Sequence, residues 1–120
     1  MKGALFMIKH KRDLVQRTLT NLQGGKGDIT REDLFSAKEM SGKFNVCTML
    51  TLPSGVSIGE HKHGLDAEIY FVVSGSLRVT ENGNVTEVSA GDTVFTTGGN
   101  SHRVENVSNA DACLLVIIVP

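Results

Sequence analysis

From Phe44 to its end the 120-residue chain is cut every few residues by turn-forming clusters, and that rhythm leaves no room for a helix of ordinary length. The intervening runs are rich in Val, Ile, Thr and Phe. They predict strands at Phe44 to Leu52, Val56 to His63, Ala67 to Val73, Ser76 to Glu81, Asn84 to Val88, Thr93 to Thr96, His102 to Asn106 and Cys113 to Val119. Eight short strands at this spacing belong to an all-β sandwich or barrel. Asn82-Gly83 reads as a type I′ hairpin turn, in which both central residues take positive φ. The run Cys113 to Val119 is apolar at every position, which implies a strand covered on both faces.

The first 43 residues carry no such rhythm and read as an N-terminal arm of the same domain, with the barrel at 44–120. Lys11 to Gln23 matches a short helix with Leu14, Val15, Leu19 and Leu22 inward, ended by Gly24 and Gly25. Gly24-Gly25-Lys26-Gly27 lacks the spacing of a phosphate-binding loop and reads as a plain connection. Residues 1–43 hold nine Lys/Arg against five Asp/Glu, and residues 44–120 hold three against eight. The acidic part is therefore the place for a metal, while the overall charge of −1 gives no basic field for nucleic acid or an anionic membrane.

The longest apolar run, Ala112 to Val119, has eight residues and is too short to cross a bilayer as a helix. The lead Ala4 to Ile8 is too short for a secretory signal, so the cytoplasm is the expected location. Cys47 and Cys113 have no metal or redox spacing and read as reduced, packed thiols. Met7 is an alternative initiator, which would leave Met1 to Phe6 as an artefact.

Three of the four histidines fall into one pattern. His61 and His63 stand two apart in a predicted strand and so share a face. Glu68 and Tyr70 share a face on the next strand, and His102 opens a later one. Three neutral imidazoles and one carboxylate inside a barrel make a ligand set for a divalent transition metal such as Mn, Fe, Co, Ni or Zn. Without an ion, each buried imidazole and the carboxylate would need its own compensation. Lys62 and Arg103 alternate with ligands and turn outward, Arg78 has no clear parity, and Glu60, Asp66 and His10 read as solvated. Ser101, Thr96 and Thr97 fit either hydrogen-bond partners of the ligands or polar cavity wall.

These residues carry a resemblance. Gly55, five residues, His61-x-His63, four residues, Glu68, six residues and Gly75 is similar to the first motif of the cupin superfamily, in full. Gly91, Gly99, His102 and Asn106 resemble its second motif, with Thr97 where a proline is usual. The resemblance covers residues 44–119 and extends to small single-domain cupins of the oxalate-decarboxylase-like, cupin 2 type. It implies an antiparallel double-stranded β-helix, a jelly-roll barrel with a short irregular arm, and metal at His61, His63, Glu68 and His102. It also implies a homodimer in which the arm covers a sheet edge. Tyr70 would then be a catalytic proton carrier in the manner of some cupin lyases, although a core aromatic hydrogen-bonded to the cavity wall uses the same position.

Three functions follow from one barrel. The first is a metal-dependent enzyme on a small organic molecule, of dioxygenase, decarboxylase, lyase or isomerase type. The second is a non-catalytic binding or sensing module with the same ion. A metal-free isomerase is the third, opposed by the complete ligand set. With Lys62, Arg78 and Arg103 outside, no fixed cation lines the cavity, which weakens the case for an anion such as oxalate.

Overall fold

The structure, a computed structural model, describes residues 6–120. Met1 to Leu5, and with them most of the segment in question for the start site, lie outside the described residues. Ten strands form two antiparallel sheets, and no α-helix occurs among the described residues. They are β1 (Gln16–Thr20), β2 (Asp28–Phe35), β3 (Val46–Leu52), β4 (Ser57–Lys62), β5 (Ala67–Ser74), β6 (Ser76–Glu81), β7 (Asn84–Ser89), β8 (Thr93–Thr96), β9 (Ser101–Glu105) and β10 (Ala112–Val119). One sheet has the order β1-β2-β3-β10-β5-β8 and the other β4-β9-β6-β7, the two layers of a jelly-roll barrel.

The eight strands expected after Phe44 are all present, their ends within two residues of the predicted ones. Asn82 and Gly83 have φ of 49° and 82° and close a two-residue loop under the Glu81↔Asn84 pair, as the hairpin pattern requires. Leu50, Leu52, Val72, Leu114 and Val116 of the first sheet are buried in one core with Ile58, Leu77, Val79 and Val104 of the second. At one end Asn106, fully buried, donates from Nδ2 to the carbonyls of Leu52 at 2.8 Å and Ala110 at 2.7 Å. Its place in the second motif is thus structural: it pins the turn before β10 to the end of β3.

Two expectations fail. β10 alternates Leu114 and Val116 inward with half-buried Cys113, Leu115 and Ile117, so only one face is covered by described residues. The outer face of its sheet continues through exposed Ile69, Phe71 and Val73 to Phe95, which is 62% exposed. The second failure is the arm. Instead of a helix over Lys11 to Gln23 and an irregular approach, residues 16–35 form a β-hairpin paired from Gln16↔Glu32 to Thr20↔Asp28. β2 pairs in turn with β3 of the same chain. The β-branched Thr18 and Thr20 favour strand, and Asn21 and Gln23 at φ 52° and 54° turn the chain where a helix would have continued.

The glycine-rich connection has a physical reason. A Cβ on Gly59 would stand 2.1 Å from the Gln23 carbonyl oxygen, and one on Gly25 would stand 2.2 Å from that of Ser57. Backbone therefore lies on backbone between the arm and β4, a closeness only paired glycines permit. The Ser57 N–H donates to the Lys26 carbonyl and the Lys26 N–H to Ser57 Oγ, both at 2.9 Å, which ties the arm across the mouth of the barrel.

Candidate metal centre

β4 and β9 pair with a register shift between Ile58 and His61, after which His61 stands directly opposite His102. A bulge of this kind re-aims side chains at a barrel rim. Here it turns His61 inward from the same stretch that carries Gly59. His63 follows β4 in the loop to β5, and Glu68 lies near the start of β5, two residues before Tyr70. His63, Glu68, Tyr70 and His102 are buried and His61 is nearly so.

One ligand atom from each of His61, His63, Glu68 and His102 lies within 4.8 Å of the others. Glu68 Oε1 is 2.8 Å from His102 Nε2, 2.9 Å from His63 Nε2 and 3.7 Å from His61 Nε2, and the Nε2 atoms of His61 and His102 are 2.9 Å apart. Neighbouring donors about 2.1 Å from one ion stand about 3 Å apart in octahedral geometry, so these edges suit a single cation.

The far side of each ring decides its tautomer. His61 Nδ1 donates to the Gly59 carbonyl at 2.9 Å, which leaves Nε2 a lone pair. His63 Nδ1 donates to the Asp66 carboxylate, at 3.3 Å to Oδ1. Thr96 Oγ1 donates to Glu81 Oε2 at 3.0 Å, so the contact between Thr96 Oγ1 and His102 Nδ1, also 3.0 Å, has the ring as donor. Three lone pairs and an anion therefore face one point with no hydrogen among them, an arrangement that calls for a positive charge. Without an ion, the cluster partly supplies its own. Burial penalises the Glu68 charge, yet the adjoining imidazoles of His102 and His61 pull its pKa down to about 2. Burial also opposes a charge on His61, but Glu68 outweighs it and raises the ring's pKa.

Tyr70 does face the cavity. Its ring stacks on His102 at 5.1 Å, and its hydroxyl lies 3.4 Å from His102 Nε2. Burial, together with the Glu68 charge, pushes its pKa well above the usual value, so the phenol holds its proton.

Some of the other side chains are placed differently from the sequence reading, and others as expected. Asp66 is not merely solvated, since it orients His63. Thr96 takes the ligand-supporting role, while Thr97 donates instead to the Asp66 carbonyl at 2.9 Å. Lys62, Glu60 and His10 are exposed, and Arg78 and Arg103 pair with Glu87 at 2.9 Å and Glu105 at 3.1 Å. Cys47 and Cys113 are free and half-buried, and burial with the nearby Asp33 charge pushes the Cys47 thiol up.

The cavity, about 140 Å³, contains one cation that sequence reasoning missed: Arg31 of β2. Leu19, Leu22 and Gln23 of the arm complete the same wall. In Asp28 to Phe35 both alternating faces carry charge, Arg31 and Asp33 on one and Glu32 on the other, so no hydrophobic period marked a strand or pointed Arg31 inward.

The cupin domain family matches residues 48–118, well over half of the chain. The chain belongs to the cupins. Over 119 residues it is 34% identical to an oxalate-binding protein of Thermotoga maritima, covering 99% of this chain and 98% of that one. The crystal structure of a predicted oxalate decarboxylase from Thermotoga maritima, also 34% identical, superposes with a TM-score of 0.90 over 94% of this cupin and 98% of its own chain. A polyketide cyclase from Streptomyces resistomycificus, 21% identical, shares the fold at a TM-score of 0.79, over 97% of this chain and 80% of its own.

Proposed function

We propose that this cupin holds one divalent transition metal, Mn, Fe, Co, Ni or Zn, on His61 Nε2, His63 Nε2, His102 Nε2 and Glu68, and with it binds and transforms a small organic molecule. What carries the reading is the tautomer of all three rings: each Nδ1 hydrogen is spent outward on Gly59, Asp66 or Thr96, which frees each Nε2 for an ion. A bound ion would polarise a carbonyl or carboxylate oxygen of the substrate. Around it the chain's own groups do the rest. Leu50, Ile58 and Val116 exclude water, and Arg31 adds positive charge. The Tyr70 hydroxyl, at 3.4 Å from His102 Nε2, holds a proton beside the reacting atoms.

The name of the Thermotoga maritima relative, an oxalate-binding protein, supports a carboxylate ligand and equally a second reading, retention of the ligand without turnover. A metal-free isomerase is disfavoured by the complete ligand set, since three ring lone pairs and the Glu68 carboxylate crowd one point with no cation between them. We place the protein in the cytoplasm on its two free thiols. A homodimer covering Phe71, Val73 and Phe95 fits the exposed apolar sheet face.

Elemental analysis of protein grown in metal-replete medium and never exposed to a chelating resin tests the metal, with about one ion per chain expected. Protein emerging empty would remove the reading. Oxygen uptake and product release across oxalate, diketones and sugar phosphates separate turnover from retention.

A further inference from the structure

Among the residues lining the cavity, Arg31 is the single fixed cation and Glu68 the single fixed carboxylate; most of the remaining wall is aliphatic. Arg31 comes from the hairpin that closes the mouth, where Arg17 stands directly opposite it on β1. Both guanidinium groups lean on one acid: Arg31 Nε donates to Asp33 Oδ1 at 2.8 Å, and Arg17 Nη2 to Oδ2 at 3.4 Å. The shared carboxylate anchors the Arg31 guanidinium at the cavity wall.

The Arg31–Asp33 bond uses only Nε. Among the described residues no acceptor engages the Arg31 Nη atoms, although the side chain is just 25% exposed. A guanidinium offers five donors in a rigid fork, so its Nη edge is open to a planar acid while Asp33 fixes the other. Burial works against the Asp33 charge, but Arg31 more than offsets it and holds the carboxyl below its usual range, so the anchor stays in place at neutral pH.

We infer that Arg31 is the specificity-determining residue of this cavity, selecting a short organic acid whose carboxylate meets the guanidinium while a second oxygen function is directed at the metal centre. The substrate class is thus a small dicarboxylate or keto acid, the arm being part of the site that reads it. Between the two ends the wall is mostly aliphatic, Leu19, Leu22 and Leu50 among it, with Gln23 and Thr48 its only uncharged amide and hydroxyl groups outside the donor cluster and Tyr70, which favours a short acid over a long polyhydroxylated chain. The inference rests on the metal reading and adds to it a charge filter carried by a different strand.

Calorimetric titration of zinc-loaded protein tests it, with oxalate, malonate and succinate as anionic probes and acetohydroxamic acid as a chelator of no net charge. Arg31→Ala is expected to keep one zinc per chain and the hydroxamate affinity, yet to lose roughly tenfold or more for the tightest-binding dicarboxylate, with Arg31→Lys recovering part. Arg31→Gln, which retains a donor for Asp33, guards against a folding defect and is expected to show the same selective loss. Zinc uptake with equal dicarboxylate affinities in wild type, Arg31→Ala and Arg31→Gln overturns the inference alone. Wild-type protein that takes up no zinc removes the metal reading and this inference with it.

Discussion

Two of the four donors, His102 and Glu68, and the arm are secured in opposite ways. β9 lies between β4 and β6, and β5 between β10 and β8, so His102 and Glu68 sit on strands laddered along both edges. The hairpin is held along one edge only, β2 against β3, with β1 free. Its second attachment is the glycine seam on β4. Segments fixed at fewer points open more readily than the core they lean on. The barrel thus holds His102 and Glu68 rigidly, while the arm side of the cavity wall is the part that can loosen.

The largest break in that comparison is expected at the centre itself. Glu68→Gln removes the only anion among the four donors, and His63→Ala removes a ring whose tautomer is fixed by Asp66. Either change is expected to abolish tight metal binding in a competition assay with a chromogenic chelator. The β circular dichroism should stay intact, because Leu50, Val72, Leu114 and Val104 form the core without these side chains. Collapse of the spectrum would mean the donors are structural.

Gly59→Ala attacks the other region. Its Cβ would fall 2.1 Å from the Gln23 carbonyl oxygen and 2.7 Å from the Gly25 nitrogen, both backbone atoms that cannot step aside. A cost of about 3 kcal/mol is expected, the upper range for forced overpacking. In hydrogen exchange the amides of residues 16–35 should lose protection while those of β10 keep it. Equal loss in both would erase the distinction between a rigid barrel and a looser wall.

Smaller effects sharpen the account of the ligands. Thr96→Val keeps the shape but removes the acceptor that holds His102 Nδ1 and the donor to Glu81. Loss of such an outer partner typically lowers metal affinity about 10- to 100-fold. Asp66→Asn is expected to cost less, since an amide oxygen still accepts from His63 Nδ1. If both leave zinc affinity untouched, the tautomers are not set by these partners.

The same contrast explains what could be read from the chain before its fold was known. Donors on β4, β5 and β9 announce themselves because two-residue alternation and the fixed gaps from Gly55 to Gly75 translate directly into one inward face. The arm does not. Arg31 and Asp33 occupy the inward face of β2 and buried Glu32 the outward one, where Lys11 Nζ meets it at 2.6 Å. With charge on both faces the period is invisible, and the strand exists because β3 offers it a ladder. Asp66 was hidden for another reason: a turn residue is oriented by its loop, and no local pattern says that His63 lies within its reach. β10 departs in the reverse direction: an all-apolar run implies cover on both faces, whereas its outer side stays partly open around exposed Phe71 and Val73.

The gentlest test is pH. In the metal-free protein the Glu68 pKa is lowered to about 2, so its contribution to stability is present above about pH 4.5 and fades as pH falls toward 2. The His61 pKa is raised, so its contribution is full below about pH 6.5 and is lost as pH rises through the folded value. Apo protein is therefore expected to be most stable between about pH 4.5 and 6.5, and to lose stability slightly on going to pH 8. Metal occupancy should run the other way, because imidazoles must be deprotonated to bind, and should fall on acidification through about pH 6. Thermal melts of chelator-stripped and zinc-loaded protein from pH 5 to 8 check this. Two curves of the same slope would show that the charges on His61 and Glu68 are not linked to metal occupancy, while a crossing would tie the site's charge to its occupancy without reference to the arm.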